Sequence, residues 1–460
     1  MNILETIVAA KREELAERKR VRPLESFRGN VVPSDRDFYG ALERRRRAGV
    51  PAFILECKKA SPSQGLIRAD FDPGAIADVY ARRADAVSVL CDEKFFQGRY
   101  ENLPLVRARL AQPVLAKEFV VDPYQIFLAR SLGADAVLLM LSVLDDATYS
   151  ELAALAHALG MGVLTEADSA DDVRRANALG ARVIGINNRN LRTLETDVAR
   201  TRELSAAVRA DAVRVAESGI RSHADALATA PFADAFLVGT SLMRERDLDR
   251  ACRALILGEN KVCGLTRAED ARAARDAGAV FGGLIFAEKS PRRVSRERAA
   301  EIVAGTPGLD FVGVFQNQPL ETVAETAAAL GLRVVQLHGE EDADFAARLR
   351  EKLPAGTRVW KALSADAADA FRAGASDAAA FDRFVLDSGR GGTGTPFDWE
   401  KIPAETKRRA LLAGGISPEN ARAAHRVGCL GLDFNSGVES APGVKSAEKI
   451  RAAFEAVRSF

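Results

Sequence analysis

Charged and polar residues stand at the ends of several short apolar runs in the first half of the sequence. They are Glu56, Lys58, Lys117, Glu166, Asn187, Arg189 and Glu217. Carboxylates and ammonium groups held together away from water can exchange protons with a substrate. This set therefore predicts an acid and base array. We expect burial and the second cation, Lys58, to disfavour the ammonium form of Lys117, which would make it a usable proton donor near neutral pH.

A smaller set ends the apolar runs of the second half: Cys263, Arg292, Gln336, His338 and Asp387. A free thiol is more often a small buried apolar residue than a reactive one. A thiolate and a carboxylic acid on opposite sides of one substrate could, however, move a proton between carbon and oxygen. Neither set contains three good metal ligands, so we expect no metal and no cofactor.

A glycine-rich segment, "LDSGRGGTGTPFDW", spans residues 386 to 399. Gly389 and Gly394 have the spacing of a nucleotide-binding P-loop, but Thr395 stands where that motif requires lysine. A nucleotide site is therefore not predicted here.

Two other glycine patterns repeat between the halves. "AESGIRS" precedes "LVGTSLM" in the first half, and "AGGISPE" precedes "DFNSGVE" in the second, with equal spacing from Ile220 to Val238 and from Ile416 to Phe434. Glycine amides after adjacent strands commonly bind phosphate in α/β barrels. The matched pattern favours a phosphorylated small molecule in each half, and tight strand-to-helix turns are the alternative.

The elements that would position these residues alternate between apolar runs and helical stretches, as in a parallel sheet. The runs of the first half are 52–57, 85–90, 113–117, 135–140, 161–166, 182–187, 212–217 and 234–239. Those of the second half are 261–264, 280–286, 310–315, 333–338, 357–362, 382–387, 409–414 and 431–435. Eight units in each half predict an α/β fold with two tandem (β/α)₈ TIM barrels. We expect domains at 1–256 and 257–460, with residues 1–50 as a helical extension of the first barrel.

Composition excludes several classes of function. The 460 residues include 65 basic and 64 acidic ones, a formal charge of +1 without charged blocks, which disfavours nucleic acid and membrane surfaces as partners. The acidic N-terminal stretch is not typical of a targeting peptide, and the five scattered cysteines favour a reducing cytoplasm. We expect Cys57, Cys91, Cys252 and Cys429 to be core residues, and His157, His223 and His425 to lie at the surface.

The motifs resemble two enzyme families. "ILECKKASPSQG", "VLAKEF", "GINNRNL", "VAESGI" and "FLVGTSLM" resemble indole glycerol phosphate synthase. "KVCGLT", "SPRRVS", "VVQLHG", "LDSGRGGTGTPFDW", "LLAGGI" and "DFNSGVE" resemble phosphoribosylanthranilate isomerase. They cover nearly the whole chain in the order of the fused bifunctional enzyme of tryptophan biosynthesis, so both barrels are expected to be active.

For the second half, the resemblance implies an Amadori rearrangement of phosphoribosylanthranilate. Asp387 would be the acid that opens the ribose ring, and Cys263 the base that removes a proton from the second sugar carbon. The implied binding residues are Arg292 for the anthranilate carboxylate, Gln336, His338, the loop glycine Gly392, and Gly415, Ser436 and Gly437 for phosphate.

For the first half, the resemblance implies ring closure to indole glycerol phosphate with loss of carbon dioxide and water. Lys117 would be the general acid and Glu166 would assist later proton transfers, while the role of Lys58 stays open between carboxylate binding and acid catalysis. The remaining implied roles are charge stabilisation by Glu56, Asn187, Arg189 and Glu217, and binding by Ser61, Phe96, Ser218, Gly219, Gly239 and Thr240.

Three alternatives remain at this point. One barrel could be active while the other only packs. The second half could belong to a histidine-pathway isomerase, which would favour aspartate at position 263. A non-catalytic sugar phosphate sensor would keep the phosphate glycines without Lys117, Glu166, Cys263 and Asp387. Phosphorylated small molecules are the expected ligands, and one chain is sufficient for both activities, so a monomer is possible.

Overall fold

The computed structural model describes residues 2–190, 193–364, 379–387, 399 and 402–459. The chain forms two compact units, Met1–Asp249 and Arg250–Phe460. The boundary between them falls within the helix Leu248–Leu257.

The first unit contains a closed barrel of eight parallel strands, in which the first strand pairs with both the second and the eighth. The strands β1 to β8 are Ala52–Cys57, Ala86–Leu90, Val114–Lys117, Ala136–Met140, Gly162–Ala167, Val183–Asn187, Val213–Glu217 and Ala235–Val238. Both faces of each strand are covered, by the barrel interior and by the helices, and this is why the strands read as continuous apolar runs. A short antiparallel hairpin, Ala60–Ser61 with Gly65–Leu66, follows β1.

Helices surround this barrel and precede it. They are Ile3–Val21, Phe38–Arg47, Pro73–Tyr80, Asn102–Arg107, Pro123–Ser131, Asp146–Ala158, Ala170–Ala178, Ala199–Ser205, His223–Thr229 and Thr240–Met243. The first two form the predicted N-terminal extension. The helix Ile3–Val21 begins with a capping box between Asn2 and Glu5, which satisfies amide groups that its first turn leaves free.

The second unit contains another closed barrel of eight parallel strands. The strands β9 to β16 are Lys261–Val262, Phe281–Ile285, Asp310–Phe315, Val334–Leu337, Arg358–Ser364, Arg383–Asp387, Ala410–Leu412 and Gly431–Phe434. The described helices of this unit are Leu248–Leu257, Ala268–Ala277, Arg296–Ala304, Leu320–Leu330, Ala343–Lys352, Ala404–Lys407, Ala421–Arg426 and Ala447–Arg458. A second hairpin, Glu439–Ala441 with Val444–Lys445, lies between β16 and the last helix.

Each unit has an apolar core of its own. The core of the first unit includes Leu42, Leu115 and Leu138, and that of the second includes Phe281, Trp360 and Leu411. The prediction of tandem (β/α)₈ barrels with an N-terminal helical extension is confirmed. No helix among the described residues is both long enough and apolar enough to cross a membrane.

The expectations for isolated cysteines and histidines have different outcomes. Cys57, Cys91, Cys252 and Cys429 are buried, as predicted. His223 and His425 are only 7% and 3% exposed, so their expected surface location is wrong. Each lies on the same helical face as a buried alanine three or four residues away, and that face packs against its barrel.

Candidate active sites

A cavity of about 580 Å³ lies at the carboxyl ends of the strands in the first unit. Every site residue that the sequence analysis named for this half lines it, namely Glu56, Lys58, Ser61, Phe96, Lys117, Glu166, Asn187, Arg189, Glu217, Ser218, Gly219, Gly239 and Thr240. The strand ends bring them together because all eight parallel strands of the barrel point toward the same rim.

Lys117 is at the centre of the charged groups in this cavity. It is the last residue of β3, and its Nζ forms an ion pair with the carboxylate of Glu217 at the end of β7. The same Nζ lies 3.7 Å from Oε2 of Glu166 on β5. Gly185 on β6 leaves the space that Glu217 fills, since a Cβ at this position would overlap the carboxylate.

The structure corrects the expected direction of the Lys117 shift. Burial by itself lowers the pKa of this ammonium, but the carboxylates of Glu217, Glu166 and Glu56 together raise the pKa above its ordinary value. Burial in turn raises the pKa of Glu217, against the opposing effect of Lys117. The ammonium of Lys117 is therefore stabilised, because three carboxylates surround it and outweigh the effect of burial.

Polar contacts also hold the side chains next to Lys117 and Glu217. Nδ2 of Asn187 donates to Oε1 of Glu166 at 3.1 Å, which fixes the orientation of that carboxylate. Nζ of Lys58 lies 3.4 Å from Oε1 of Glu56 and 5.6 Å from the centre of the Phe96 ring. Nη1 of Arg189 donates to Oγ of Ser63 in the hairpin after β1, at 3.0 Å. The cavity thus has an aromatic side as well as a charged one.

The opposite side of the cavity has the backbone features of a phosphate site. Ser218 and Gly219 have positive φ angles of 62° and 84° directly after β7. Gly239 follows β8, where a Cβ would lie 2.9 Å from the Cβ of Glu56. Sequence reasoning missed Arg221 and Arg244, which also line the cavity. Their positions after the two glycine motifs could have identified them, since arginine commonly pairs with phosphate.

The second unit has a cavity of about 500 Å³ at the carboxyl ends of its strands. It is lined by most of the residues named for this half, which are Cys263, Arg292, Gln336, His338, Asp387, Gly415 and Ser436. Gly437 is not among the lining residues. A Cβ there would overlap the backbone carbonyl of Ile416, so this glycine permits a close backbone approach. Gly392 and the rest of its predicted loop lie outside the described residues.

Cys263 lies beside a buried ion pair that sequence reasoning missed. Nζ of Lys261 is 2.7 Å from Oδ2 of Asp433, and Lys261 is fully buried. Burial raises the pKa of the Cys263 thiol, and the ammonium of Lys261 opposes that rise. Lys261 thus favours the thiolate form that a base requires. The motif "KVCGLT" contains both residues, and alternation along a strand would have placed them on one face.

Arg292 has a carboxylate partner within the chain. Its Nε and Nη2 donate to the two carboxylate oxygens of Glu439, each at 2.8 Å, and Nζ of Lys445 lies 2.7 Å from Oε1 of the same residue. Nζ of Lys445 also donates to Oδ1 of Asn435 at 3.0 Å. This network orients the guanidinium toward the cavity wall and joins it to the segment after β16.

Two further side chains complete the described part of this cavity. Nε2 of Gln336 and Nδ1 of His338 lie 3.1 Å apart. Burial lowers the pKa of His338, and the carboxylate of Asp387 opposes the change, so the imidazole is neutral near pH 7. Asp387 is the last residue of β14 and is half-buried. Its carboxyl group and the thiol of Cys263 line the same cavity.

Comparisons with known proteins agree with this division into two sites. The family model described as indole-3-glycerol phosphate synthase matches residues 4–255, and that of N-(5'phosphoribosyl)anthranilate isomerase matches residues 260–456. The tryptophan biosynthesis protein TrpCF of Salmonella typhi is 50% identical over 458 residues, covering 100% of this chain and 99% of that protein. The protein of the same name from Vibrio parahaemolyticus is 51% identical over 465 residues, and the match covers 100% of this chain and 94% of that protein.

Among solved structures, a phosphoribosyl anthranilate isomerase from Thermus thermophilus is 38% identical, with a TM-score of 0.39. The match covers 44% of this chain and 98% of that one.

Proposed function

This chain belongs to the family of bifunctional indole-3-glycerol phosphate synthases and phosphoribosylanthranilate isomerases of tryptophan biosynthesis, and on that premise we propose which residues perform each reaction. The enzyme catalyses both reactions and acts on small phosphorylated substrates. One observation carries the assignment of residues: each unit has a cavity at its strand ends that contains an acid and base set of its own.

In the second unit, Asp387 donates a proton to the ring oxygen of phosphoribosylanthranilate, and the C1–O bond breaks. The electron pair of the anthranilate nitrogen forms a C=N bond at C1. The thiolate of Cys263 then removes the proton from C2, the released electron pair forms a C1=C2 bond, and the C=N pair returns to nitrogen. The resulting enol becomes the ketone of the product by gaining a proton at C1 and losing the proton of the C2 hydroxyl group. Lys261 supports this role because its ammonium opposes the effect of burial on the thiol.

Binding in this cavity follows from its charges. Arg292 is held by Glu439 through Nε and Nη2 and presents its remaining edge to the anthranilate carboxylate. Gly415, which has a φ angle of 65°, and Ser436 bind the phosphate. Gln336 and His338 contact the sugar hydroxyl groups. We also propose that Gly437 binds the phosphate and that Gly392 belongs to the loop of this site.

In the first unit, Lys117 donates a proton to the ketone oxygen while the ring carbon that carries the carboxylate attacks the ketone carbon. The carboxylate leaves as carbon dioxide, and its bonding electrons restore the aromatic ring. Glu166, held by Asn187, takes and returns protons as the hydroxyl group leaves as water. The raised pKa of Lys117 keeps it in the protonated form that a general acid requires.

The other residues of the first cavity bind and orient. Phe96 contacts the anthranilate ring, and Lys58 fits two roles beside it, binding the carboxylate or donating a second proton. Glu56, Arg189 and Glu217 stabilise charge. Contacts to the phosphate come from Ser61, Ser218, Gly219, Gly239 and Thr240, with Arg221 and Arg244 nearby.

The organisation of the whole enzyme is part of the proposal. We assign residues 1–256 to the synthase and 257–460 to the isomerase. Each described cavity is built from one unit of one chain, so a monomer is sufficient for both activities. The five cysteines are free thiols, which supports a cytoplasmic location.

The test supplies phosphoribosylanthranilate to the purified chain, follows its fluorescence and measures indole glycerol phosphate. Lys117→Ala should lower synthase turnover by about 10²- to 10⁴-fold and leave the isomerase unchanged. Cys263→Ala should lower isomerase turnover and leave the synthase unchanged. The synthase of this variant is assayed with the isomerase product supplied as its substrate.

The two variants serve as controls for each other. Lys117→Ala must retain the isomerase activity, and Cys263→Ala must retain the synthase activity. The assignment of acid and base is wrong if either substitution leaves its own reaction at the wild-type rate. Loss of both activities in one variant would instead indicate a failure of folding and would require the conservative variants Lys117→Arg and Cys263→Ser.

A further inference from the structure

Lys11 occupies a position where the pattern of its helix calls for an apolar residue. The buried face of the helix Ile3–Val21 consists of Leu4, Ile7, Lys11 and Leu15, and Lys11 is only 2% exposed. Lysine is almost never so deeply buried without partners. Its ammonium must therefore have a charged environment inside the protein.

That environment is a cluster of carboxylates, which we call the Lys11 cluster: Lys11, Glu14, Asp92 and Glu118. Nζ of Lys11 lies 2.7 Å from Oε2 of Glu14, 2.9 Å from Oδ2 of Asp92 and 3.2 Å from Oε1 of Glu118. Asp92 and Glu118 are 1% and 2% exposed. They follow β2 and β3, so one ammonium joins the N-terminal helix to the ends of two barrel strands.

The same two carboxylates hold the backbone of the cavity's aromatic side. Oδ1 of Asp92 accepts hydrogen bonds from the backbone N–H groups of Phe95 at 2.7 Å and Phe96 at 3.2 Å. Oε1 of Glu118 accepts one from the N–H of Phe119 at 2.8 Å. The charge of Lys11 thus acts, through two carboxylates, on the backbone of three phenylalanines.

Phe96 and Phe119 form one wall of the synthase cavity. Their rings pack with centres 6.1 Å apart, and both line the cavity. Lys58 approaches the Phe96 ring from within the cavity, and Glu118 directly follows the general acid Lys117. A displacement of the two loops would therefore move the aromatic wall.

Anchoring the helix does not require such a cluster. Leu4, Ile7 and Leu15 supply apolar contact, and Lys19 of the same helix forms an ion pair with Asp122 at 2.6 Å near the surface. Burying two carboxylates beside one ammonium costs desolvation and repulsion that apolar residues would avoid. What the cluster adds over apolar contact is a fixed geometry for the two loops.

We propose that Lys11 is a positioning residue of the synthase site, which holds the Phe96–Phe119 wall, through Asp92 and Glu118, in the place where the anthranilate ring binds. The inference rests on the proposed contact between Phe96 and the substrate. Lys11 itself does not line the cavity. The acid Lys117 is held by Glu217 and Glu166 and not by Lys11, so the effect of Lys11 falls on substrate binding more than on the chemical step.

The first experiment measures synthase kinetics of Lys11→Met with the isomerase product as substrate. We expect KM to rise about tenfold and kcat to change by less than about threefold, because a wall that is misplaced weakens binding of the ring. The isomerase activity of the same chain should stay at the wild-type value. Lys19→Met is the matched control, because it removes another lysine of the same helix, one that pairs with Asp122 in the segment after β3. The KM of the Lys19→Met variant should not change.

A second variant separates positioning from folding. Lys11→Met leaves two buried carboxylates without their ammonium, and this lowers stability. Adding Asp92→Asn and Glu118→Gln removes those charges, while the amide oxygens can still accept the backbone hydrogen bonds. We expect this triple variant to recover the thermal midpoint of the wild type but to keep the raised KM. The proposal is overturned if KM returns to the wild-type value together with the midpoint, or if Lys11→Met leaves KM unchanged.

Phe96→Leu distinguishes failure of this inference from failure of the proposed contact. A normal KM in Phe96→Leu means that the substrate contact assigned to Phe96 is wrong, and the inference that rests on it fails too. A raised KM in Phe96→Leu with a normal KM in Lys11→Met rejects only the role of Lys11.

Discussion

The charge state of Lys117 depends on three carboxylates that come from distant parts of the chain. Burial alone would lower its pKa, and the raised pKa follows from Glu217, Glu166 and Glu56. A general acid with a raised pKa remains protonated over the whole neutral range, but it donates its proton less readily. The carboxylates thus secure the protonated form of the acid.

Glu217→Gln should shift the alkaline limb of the synthase pH profile to lower pH. Removing this carboxylate leaves burial with less opposition, so the pKa of Lys117 falls and its proton is lost earlier as the pH rises. The measurement is kcat/KM of the synthase from about pH 6 to about pH 10 in the variant and the wild type. The isomerase profile of the same chain is the control, and coincident synthase profiles would contradict the explanation.

At the scale of the elements, adjacent strands leave space for the reactive side chains. A Cβ at Gly185 on β6 would overlap the carboxylate of Glu217, and a Cβ at Gly283 on β10 would lie 2.7 Å from Sγ of Cys263. Neither glycine has a positive φ angle, so space and not backbone conformation explains the residue type. Each barrel thus has a strand glycine next to a proposed catalytic group.

Alanine at either glycine should damage one reaction only. Gly185→Ala displaces Glu217 and should lower synthase kcat/KM by on the order of 10²-fold, and Gly283→Ala should do the same to the isomerase by displacing Cys263. Gly29→Ala is the control, because a Cβ there has no heavy atom within 4 Å. Assaying both reactions in all three variants checks the selectivity, and unchanged kinetics in either strand variant would show that the neighbouring side chain adapts.

At the scale of the whole molecule, the two cores are separate and carry different chromophores. All five tyrosines belong to the first unit, and both tryptophans, Trp360 and Trp399, belong to the second. Tyrosine absorbance therefore reports unfolding of the first unit, and tryptophan emission reports unfolding of the second. This division allows both transitions to be followed in the intact chain.

Leu42→Ala should destabilise the first unit by about 3 kcal/mol, because it leaves a cavity at a fully buried position of that core. The tyrosine transition should move to lower urea concentration while the tryptophan transition stays in place. Leu411→Ala, at a fully buried position of the second core, should have the reverse effect. Equal shifts of both signals in either variant would mean that the two cores unfold as one cooperative unit.

Local patterns were sufficient to predict the barrels and the polar residues at their strand ends, but they missed Arg221 and Arg244, which also line the first cavity. Each strand is a short apolar run, and a polar residue at its carboxyl end must lie at the rim, whichever partners it has there. The interactions between rim residues could not be predicted in the same way. Glu439 as the partner of Arg292 and the burial of His425 both depend on segments that meet only after folding.

The sequence by itself determined the two barrels, their order and the positions of Lys117, Cys263 and Asp387, because periodicity and strand ends are local properties of the chain. Only the tertiary structure decided the charge environment of these groups. Lys117 meets Glu217 across 100 residues, and Lys11 meets Glu118 across 107. The pKa of Lys117 and the burial of Lys11 follow from such pairs, since electrostatic interaction depends on distance in space and on exclusion of water.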